Sequence, residues 1–104
     1  MTTKRKSAAV RFLERLTGGP LTLGRSLASI RLGEDMSLEA FARSLGISRS
    51  HLCDIEKGRK IVSPERAARF AQSLGYSEQQ FVRLALQDQL LHVGLRFTVD
   101  IKAA

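Results

Sequence analysis

The sequence predicts an all-α domain of five helices, preceded by a short helical arm and followed by one candidate β-strand. Three observations predict it. Between residues 20 and 91, five hydroxyl residues (Thr22, Ser37, Ser48, Ser63 and Ser77) each stand just ahead of apolar side chains spaced three and four apart. Gly33, Gly46, Gly58 and Gly75 close the first four of these segments. Hydrophobic residues make up 43% of the 104-residue chain, with six aromatics and no Trp, which suits a small core packed by Leu, Ile and Ala.

The arm spans residues 1–19. Ser7 is placed to cap a short helix, with Val10, Leu13 and Leu16 on one side and Arg11, Glu14 and Arg15 on the other. Thr17-Gly18-Gly19-Pro20 stops it, and the arm either folds back on the domain or stays loose. Thr22 opens the first helix of the domain, 20–91, where Leu23, Leu27 and Ile30 form an apolar stripe ending at Gly33. Glu34 and Asp35 make the turn. Ser37 offers its hydroxyl to the exposed N–H groups of the second helix, in which Phe41, Ala42 and Leu45 share a face. Gly46 follows where the chain needs a left-handed residue, and Ile47 plugs the turn. Ser48 caps the third helix, with Leu52 and Ile55 inward and Gly58 at its end. Arg59-Lys60-Ile61-Val62 reads as a basic loop. Ser63-Pro64-Glu65 combines a hydroxyl cap, a Pro at the first helical position and an acid in the first turn. Ala67, Phe70, Ala71 and Leu74 form the buried face of this fourth helix. Ser77 with Gln80 forms a capping box for a fifth, whose Phe81, Leu84, Ala85 and Leu91 turn inward.

After Gly94 the period changes. In the tail, 92–104, the residues Leu95, Phe97, Val99 and Ile101 alternate with Arg96, Thr98, Asp100 and Lys102, which predicts a strand over 95–102. A lone strand cannot satisfy its own backbone, and no other segment has a strand-like pattern. The expected partner is the same segment of a second copy, paired antiparallel about a two-fold axis, so that these four apolar residues serve dimerisation. The alternative is a disordered tail whose alternation is chance.

The formal net charge of +7 is unevenly placed. Residues 1–19 hold five positive charges and one negative, and residues 37–60 hold five and three, while 20–36 and 61–91 are neutral. Two basic patches on a balanced body fit a polyanion partner better than uniform solubilising charge does. No run approaches the roughly 18 apolar residues of a membrane span, and no signal-peptide-like run follows Lys4-Arg5-Lys6. The single Cys excludes an internal disulfide. These features predict a cytoplasmic protein of one domain, with no membrane partner and no room for a separate catalytic domain.

Residues 38–57 read as a helix, a glycine turn and a second helix. That arrangement sets the second helix out from the body, where it can lie in the major groove of double-stranded DNA. With about 100° between successive residues and the inward direction set by Leu52 and Ile55, Ser50, Cys53, Asp54 and Lys57 fall on the far side and Arg49 on the flank. These five are the candidate base readers. The planar fork of Arg49 matches guanine O6 and N7, a pairing worth roughly 1–3 kcal/mol of discrimination. Ser50 suits several bases, and Cys53 is either a small neutral spacer or a redox thiol. Asp54 would be repelled by phosphate, so it either accepts from cytosine N4 or orients Arg49 or Lys57. Arg59 and Lys60 are placed as phosphate clamps, and Ser37 and Ser48 leave helix N-terminal N–H groups near the DNA backbone.

Leu27, Ile30, Arg31, Ser37, Phe41-Ala42, Leu45-Gly46-Ile47-Ser48, Leu52, Ile55-Glu56-Lys57-Gly58 and the closing Ala71, Leu74 and Gly75 keep fixed offsets over residues 23–89. On these residues about two-thirds of the chain resembles the Xre family of helix-turn-helix proteins, whose members include the phage Cro and cI repressors. The resemblance implies a five-helix phage-repressor-like domain, a homodimer and a palindromic operator, with recognition helices roughly 34 Å apart. It also implies that Arg31 pairs with Glu56, tying the first helix to the end of the third. One position departs: Leu38 stands where many members place a Gln that contacts phosphate and braces the recognition helix.

No enzyme activity, metal or cofactor is expected. His51 and Cys53 lie about 200° apart on a helix and have no complementary Cys or His pair, and no nucleophile–base pair or glycine-rich phosphate loop stands out. The sequence thus predicts a homodimeric transcriptional regulator, a repressor reading an inverted repeat. The rival reading is an antitoxin of the HigA-like, type II kind, which neutralises a small toxin protein and represses its own operon. The arm and the tail are the segments that would grip such a partner.

Overall fold

Five helices run through the described residues of the computed structural model, which are 21–104. They are α1 (Leu23–Gly33), α2 (Leu38–Leu45), α3 (Arg49–Glu56), α4 (Pro64–Leu74) and α5 (Glu78–His92). The arm 1–19 and its expected helix lie outside the described residues. No helix among those described is long and apolar enough to cross a membrane.

Each helix begins at the hydroxyl expected from the sequence. Thr22 Oγ1 accepts from the Arg25 N–H, and the Oγ atoms of Ser37, Ser48, Ser63 and Ser77 accept from the N–H three residues on, all within 3.1–3.2 Å. These bonds satisfy donors that the helix itself leaves unpaired. The capping box at α5 is half made: the Gln80 side chain, instead of returning to Ser77, accepts from Arg83 Nε at 3.3 Å. Helix α2 closes at Gly46, where φ is +73°. Ile47 N–H donates to the Ala42 carbonyl at 3.0 Å and Gly46 N–H to that of Arg43 at 3.2 Å, the paired bonds of a Schellman closure. After α1 the left-handed residue is Asp35, at φ +54°, with Met36 N–H donating to the Arg31 carbonyl at 3.0 Å. Gly33 stays in the helix.

The core gathers one face from every helix: Leu23 and Leu27, Phe41, Ala42 and Leu45, Leu52 and Ile55, Ala67, Phe70 and Ala71, then Phe81, Leu84 and Ala85. Helices α4 and α5 form the broadest pairing; α2 joins it through α4, α1 through α5, and α3 packs on α1 and α2. Two residues depart from the sequence pattern. Val62, read as part of a basic loop, is buried and plugs the core between α3 and α4. Leu91, expected inside, is 40% exposed. Helix α5 has 15 residues and its partner α4 has 11, so the last turn of α5 runs past the side chains that cover the rest.

The strand expected over 95–102 is not formed, and no strand occurs among the described residues. The tail instead lies back along α5. Gln87 Nε2 donates to the Phe97 carbonyl at 2.6 Å, and its Oε1 accepts from Val99 N–H at 2.9 Å. Gln79 Nε2 donates to the Ile101 carbonyl at 2.5 Å. Two side-chain amides eight residues apart on a helix thus serve tail backbone groups that a strand ladder would otherwise take. Of the four expected dimerisation residues, Leu95 and Phe97 are exposed while Val99 and Ile101 are half-buried.

Helices α1 and α5 meet at a carboxylate. Asp88 Oδ2 accepts the Leu23 N–H at 3.0 Å, while Oδ1 is buried without a hydrogen-bond partner. Burial pushes this carboxyl up to about 6, outweighing the Leu23 bond that favours its charged form. The folded state therefore holds the proton more tightly than the unfolded chain, whose Asp titrates near 3.9. The stability linked to Asp88 is fully present below about pH 4 and is lost as the pH rises through about 6. Allowing for partial solvent screening, the loss is about 1–2 kcal/mol. Asp88→Asn is expected to recover about 1 kcal/mol at pH 7.5 and nothing at pH 4. Urea unfolding of both proteins at the two pH values measures the difference; a variant weaker than wild type at pH 7.5 would contradict the sign.

Candidate nucleic-acid interface

Helix α3 is only eight residues long, so propensity alone does not hold it in place. Its packing does. Leu52 and Ile55 are buried along one side, at 0% and 2% exposure. Arg49, Ser50 and Lys57 are exposed on the remaining circumference, and Cys53 and Asp54 are half-buried between the two faces. Arg49 is the first helical residue, directly after the Ser48 cap. The end that would enter a groove first therefore presents a guanidinium and a hydroxyl, with unpaired backbone N–H groups beside them.

Three neighbours fix the tilt of α3. From α1, Gly24 is buried against the end of α3 so closely that a Cβ built on it would lie 2.0 Å from the Ile55 carbonyl oxygen. Backbone meets backbone there, and only glycine leaves the room. Also from α1, Arg31 forms a two-pronged pair with Glu56: Nε donates to Oε2 at 2.9 Å and Nη2 to Oε1 at 3.0 Å. The third arm of the guanidinium, Nη1, donates to the Met36 carbonyl at 3.2 Å, so the α1–α2 turn joins the same unit. Both side chains of the pair are well covered, and the bond to Glu56 raises the Arg31 pKa above its already high ordinary value. From α4, Arg66 Nη1 lies 3.4 Å from His51 Nε2. Burial, followed by the charges of Arg66 and Lys60, lowers the His51 pKa, so the neutral ring is the form that meets Arg66.

On the turn side, Ile47 is half-buried against the core, and so is Leu38. An apolar contact thus occupies the place of the Gln that the Xre resemblance would put at Leu38. Ser37 and Ser48 are exposed and engaged as helix caps. Arg59 and Lys60 are each somewhat more than half exposed, and both reach back to α3. Arg59 Nη1 donates to Asp54 Oδ1 at 3.1 Å, and Lys60 Nζ lies 3.6 Å from Oδ2. The Asp54 backbone carbonyl also accepts from the N–H groups of both residues, at 2.8 and 3.3 Å. The Arg59 hydrogen bond is the main reason the Asp54 carboxyl stays below the usual carboxylate range.

The two oxygens of Asp54 engage Arg59 and Lys60, the residues that the sequence places as phosphate clamps. Gly24 and the His51–Arg66 contact were not read from the sequence at all. A glycine inside an amphipathic helix was the available signal for the first, since such a residue weakens a helix and usually answers a packing need. For the second the sequence held none, because the two residues lie on different helices.

The sequence profile of a helix-turn-helix domain matches residues 22–84, from the cap of α1 into α5. No curated protein and no solved structure matches the chain.

Proposed function

We propose, from the premise that the chain belongs to the helix-turn-helix domain family, that it is a sequence-specific transcriptional regulator which reads double-stranded DNA through α3. One observation carries the reading. The short helix turns Leu52 and Ile55 inward, packs against α1 and α2, and leaves Arg49, Ser50 and Lys57 in the open with Arg59 and Lys60 just beyond. Arg49 and Ser50 read base edges, and Arg59 and Lys60 meet phosphates.

The regulator acts as a homodimer, in the manner of the Xre family, and represses by covering an inverted repeat. In support, Leu91, Val93, Leu95 and Phe97 form a run of exposed apolar residues from the last turn of α5 into the tail. Removing 95–104 is expected to give a monomer with weaker operator affinity, read by light scattering and titration. A truncated chain that stays dimeric would take the tail out of the interface. The second reading is an antitoxin that neutralises a small toxin with the same terminal segments. It draws on a tail held to α5 by side-chain amides, which a partner could displace. Co-purification with the product of the adjoining gene distinguishes it.

Arg49→Ala tests the reading of α3. A duplex selected by the wild-type chain from a random pool should lose about 1–3 kcal/mol of binding, or roughly 5- to 150-fold. Binding to scrambled DNA should change little and remain salt-sensitive. Equal loss on both duplexes in a fluorescence anisotropy titration would strip Arg49 of its base-reading role.

A further inference from the structure

We infer that Asp54 is a positioning residue: its carboxylate locks Arg59 and Lys60 to the recognition helix, so that phosphate contact and base contact occur in a single register. The inference rests on the DNA-reading role of α3 and assigns Asp54 a task other than touching a base.

The geometry has three parts. Each carboxylate oxygen takes a different cation, Oδ1 with Arg59 Nη1 and Oδ2 with Lys60 Nζ, and this fixes both long side chains from one point. The backbone repeats the tie, since the Asp54 carbonyl accepts from both N–H groups as the chain leaves α3. Asp54 itself stands on α3 one residue before buried Ile55, so its own position is set by the core. Arg59 and Lys60 still expose more than half of their side chains, which leaves N–H groups free for a phosphate while the carboxylate is engaged. A carboxylate on a DNA-facing helix repels the duplex as a whole. What it supplies in return is order in two flexible cations before DNA arrives.

Order of this kind affects specific and non-specific binding differently. On scrambled DNA, loose cations gain phosphate contacts in many orientations, so a restraint that permits only one is a handicap. On the preferred duplex that one orientation is the productive one, and side chains already held need not be ordered on binding. Like-charge repulsion adds to the handicap equally on both.

Asp54→Asn keeps the size and removes the charge. Binding to a scrambled duplex should strengthen about fivefold at low salt, as expected for one unit charge at a few ångströms in water. The slope of log K against log salt should steepen by about 1 as a freed cation reaches another phosphate. On the duplex selected by the wild type, the same charge gain is offset by the need to order two side chains, each worth about two- to tenfold. Affinity there should hold or fall, and the preference should drop about fivefold or more. Asp54→Glu, which keeps the charge, should restore part of it. In the free protein, NMR relaxation of Arg59 Nε should report an ordered guanidinium in wild type and a mobile one in Asp54→Asn. An equal rise on both duplexes would make Asp54 a plain repelling charge and overturn the inference, as would an Arg59 equally mobile in both proteins. A wild-type chain that enriches no sequence from the pool overturns the DNA reading itself, and the relaxation measurement tells that failure from the other.

Discussion

Gly24→Ala is expected to destabilise the domain by about 2–3 kcal/mol and to move α3 out of register, although it adds a single methyl group. Alanine is the better helix former by about 1 kcal/mol, so propensity argues the other way. It is outweighed by contact: the new Cβ would sit 2.0 Å from the Ile55 carbonyl oxygen, 2.9 Å from its carbon and 3.3 Å from Glu56 Cα. All three are backbone atoms, with no rotamer to yield, so α1 and α3 must part by an ångström or more. Overpacking of this sort commonly costs about 1–3 kcal/mol, and here it also opens the covered surface around Leu23 and Leu27. Gly33 is the internal control. It lies in the same helix with nothing within 4 Å of a built Cβ, so Gly33→Ala should be neutral or slightly stabilising. Thermal unfolding of the two variants should diverge, with Gly24→Ala melting roughly 10 °C below wild type. If both alanines behaved alike, the close approach of α1 and α3 would be refuted.

Glu56→Ala should have an effect of similar size at the same joint. Arg31 loses both prongs of its pair and keeps only the Met36 carbonyl, while its side chain remains largely covered. A buried charge stripped of its partner typically costs about 3–5 kcal/mol; at a site open on one side, about 2–3 kcal/mol is expected. Glu56→Gln keeps one acceptor for the guanidinium and should lose about half as much. Because Glu56 and Gly24 act on one contact between α1 and the end of α3, the two losses should not add. Once α1 has been pushed away, the ion pair has little left to hold. Urea unfolding of the two single variants and the double variant measures that coupling. Full additivity would mean that the glycine contact and the ion pair hold α3 independently.

The elements that were legible in advance share one property: their signals are local. Ser37 and Ser48 cap because a hydroxyl meets N–H groups three residues on, and Gly46 closes α2 because the left-handed turn is made within six residues. Phe41, Ala42 and Leu45 face inward because helical spacing puts them on one side. Arg31 and Glu56 are 25 residues apart, and their pairing was expected through family resemblance rather than from spacing. The tail shows the opposite case. Its two-residue alternation is genuine in the sequence, yet the backbone bonds that would make it a strand go to Gln79 and Gln87. Nothing in 95–102 itself could announce two glutamines on a preceding helix. Leu91 is exposed for a related reason, since whether it lies inward depends on how far the neighbouring helix α4 extends.

By itself, then, this chain's order of residues determined five capped helices, the face that each one buries and an exposed basic edge on the third. Those follow from hydrogen bonds and periodicities that span a single helical turn. Only the folded arrangement decided that Gly24 is the contact point of α1 with α3, that Asp54 answers Arg59 and Lys60, and that Asp88 keeps a raised pKa beneath α1. The first and the last depend on atoms distant in sequence coming within about 4 Å, where steric overlap and the loss of water change what a side chain does; the second depends on how the chain turns as it leaves α3, which brings residues five and six apart onto one carboxylate.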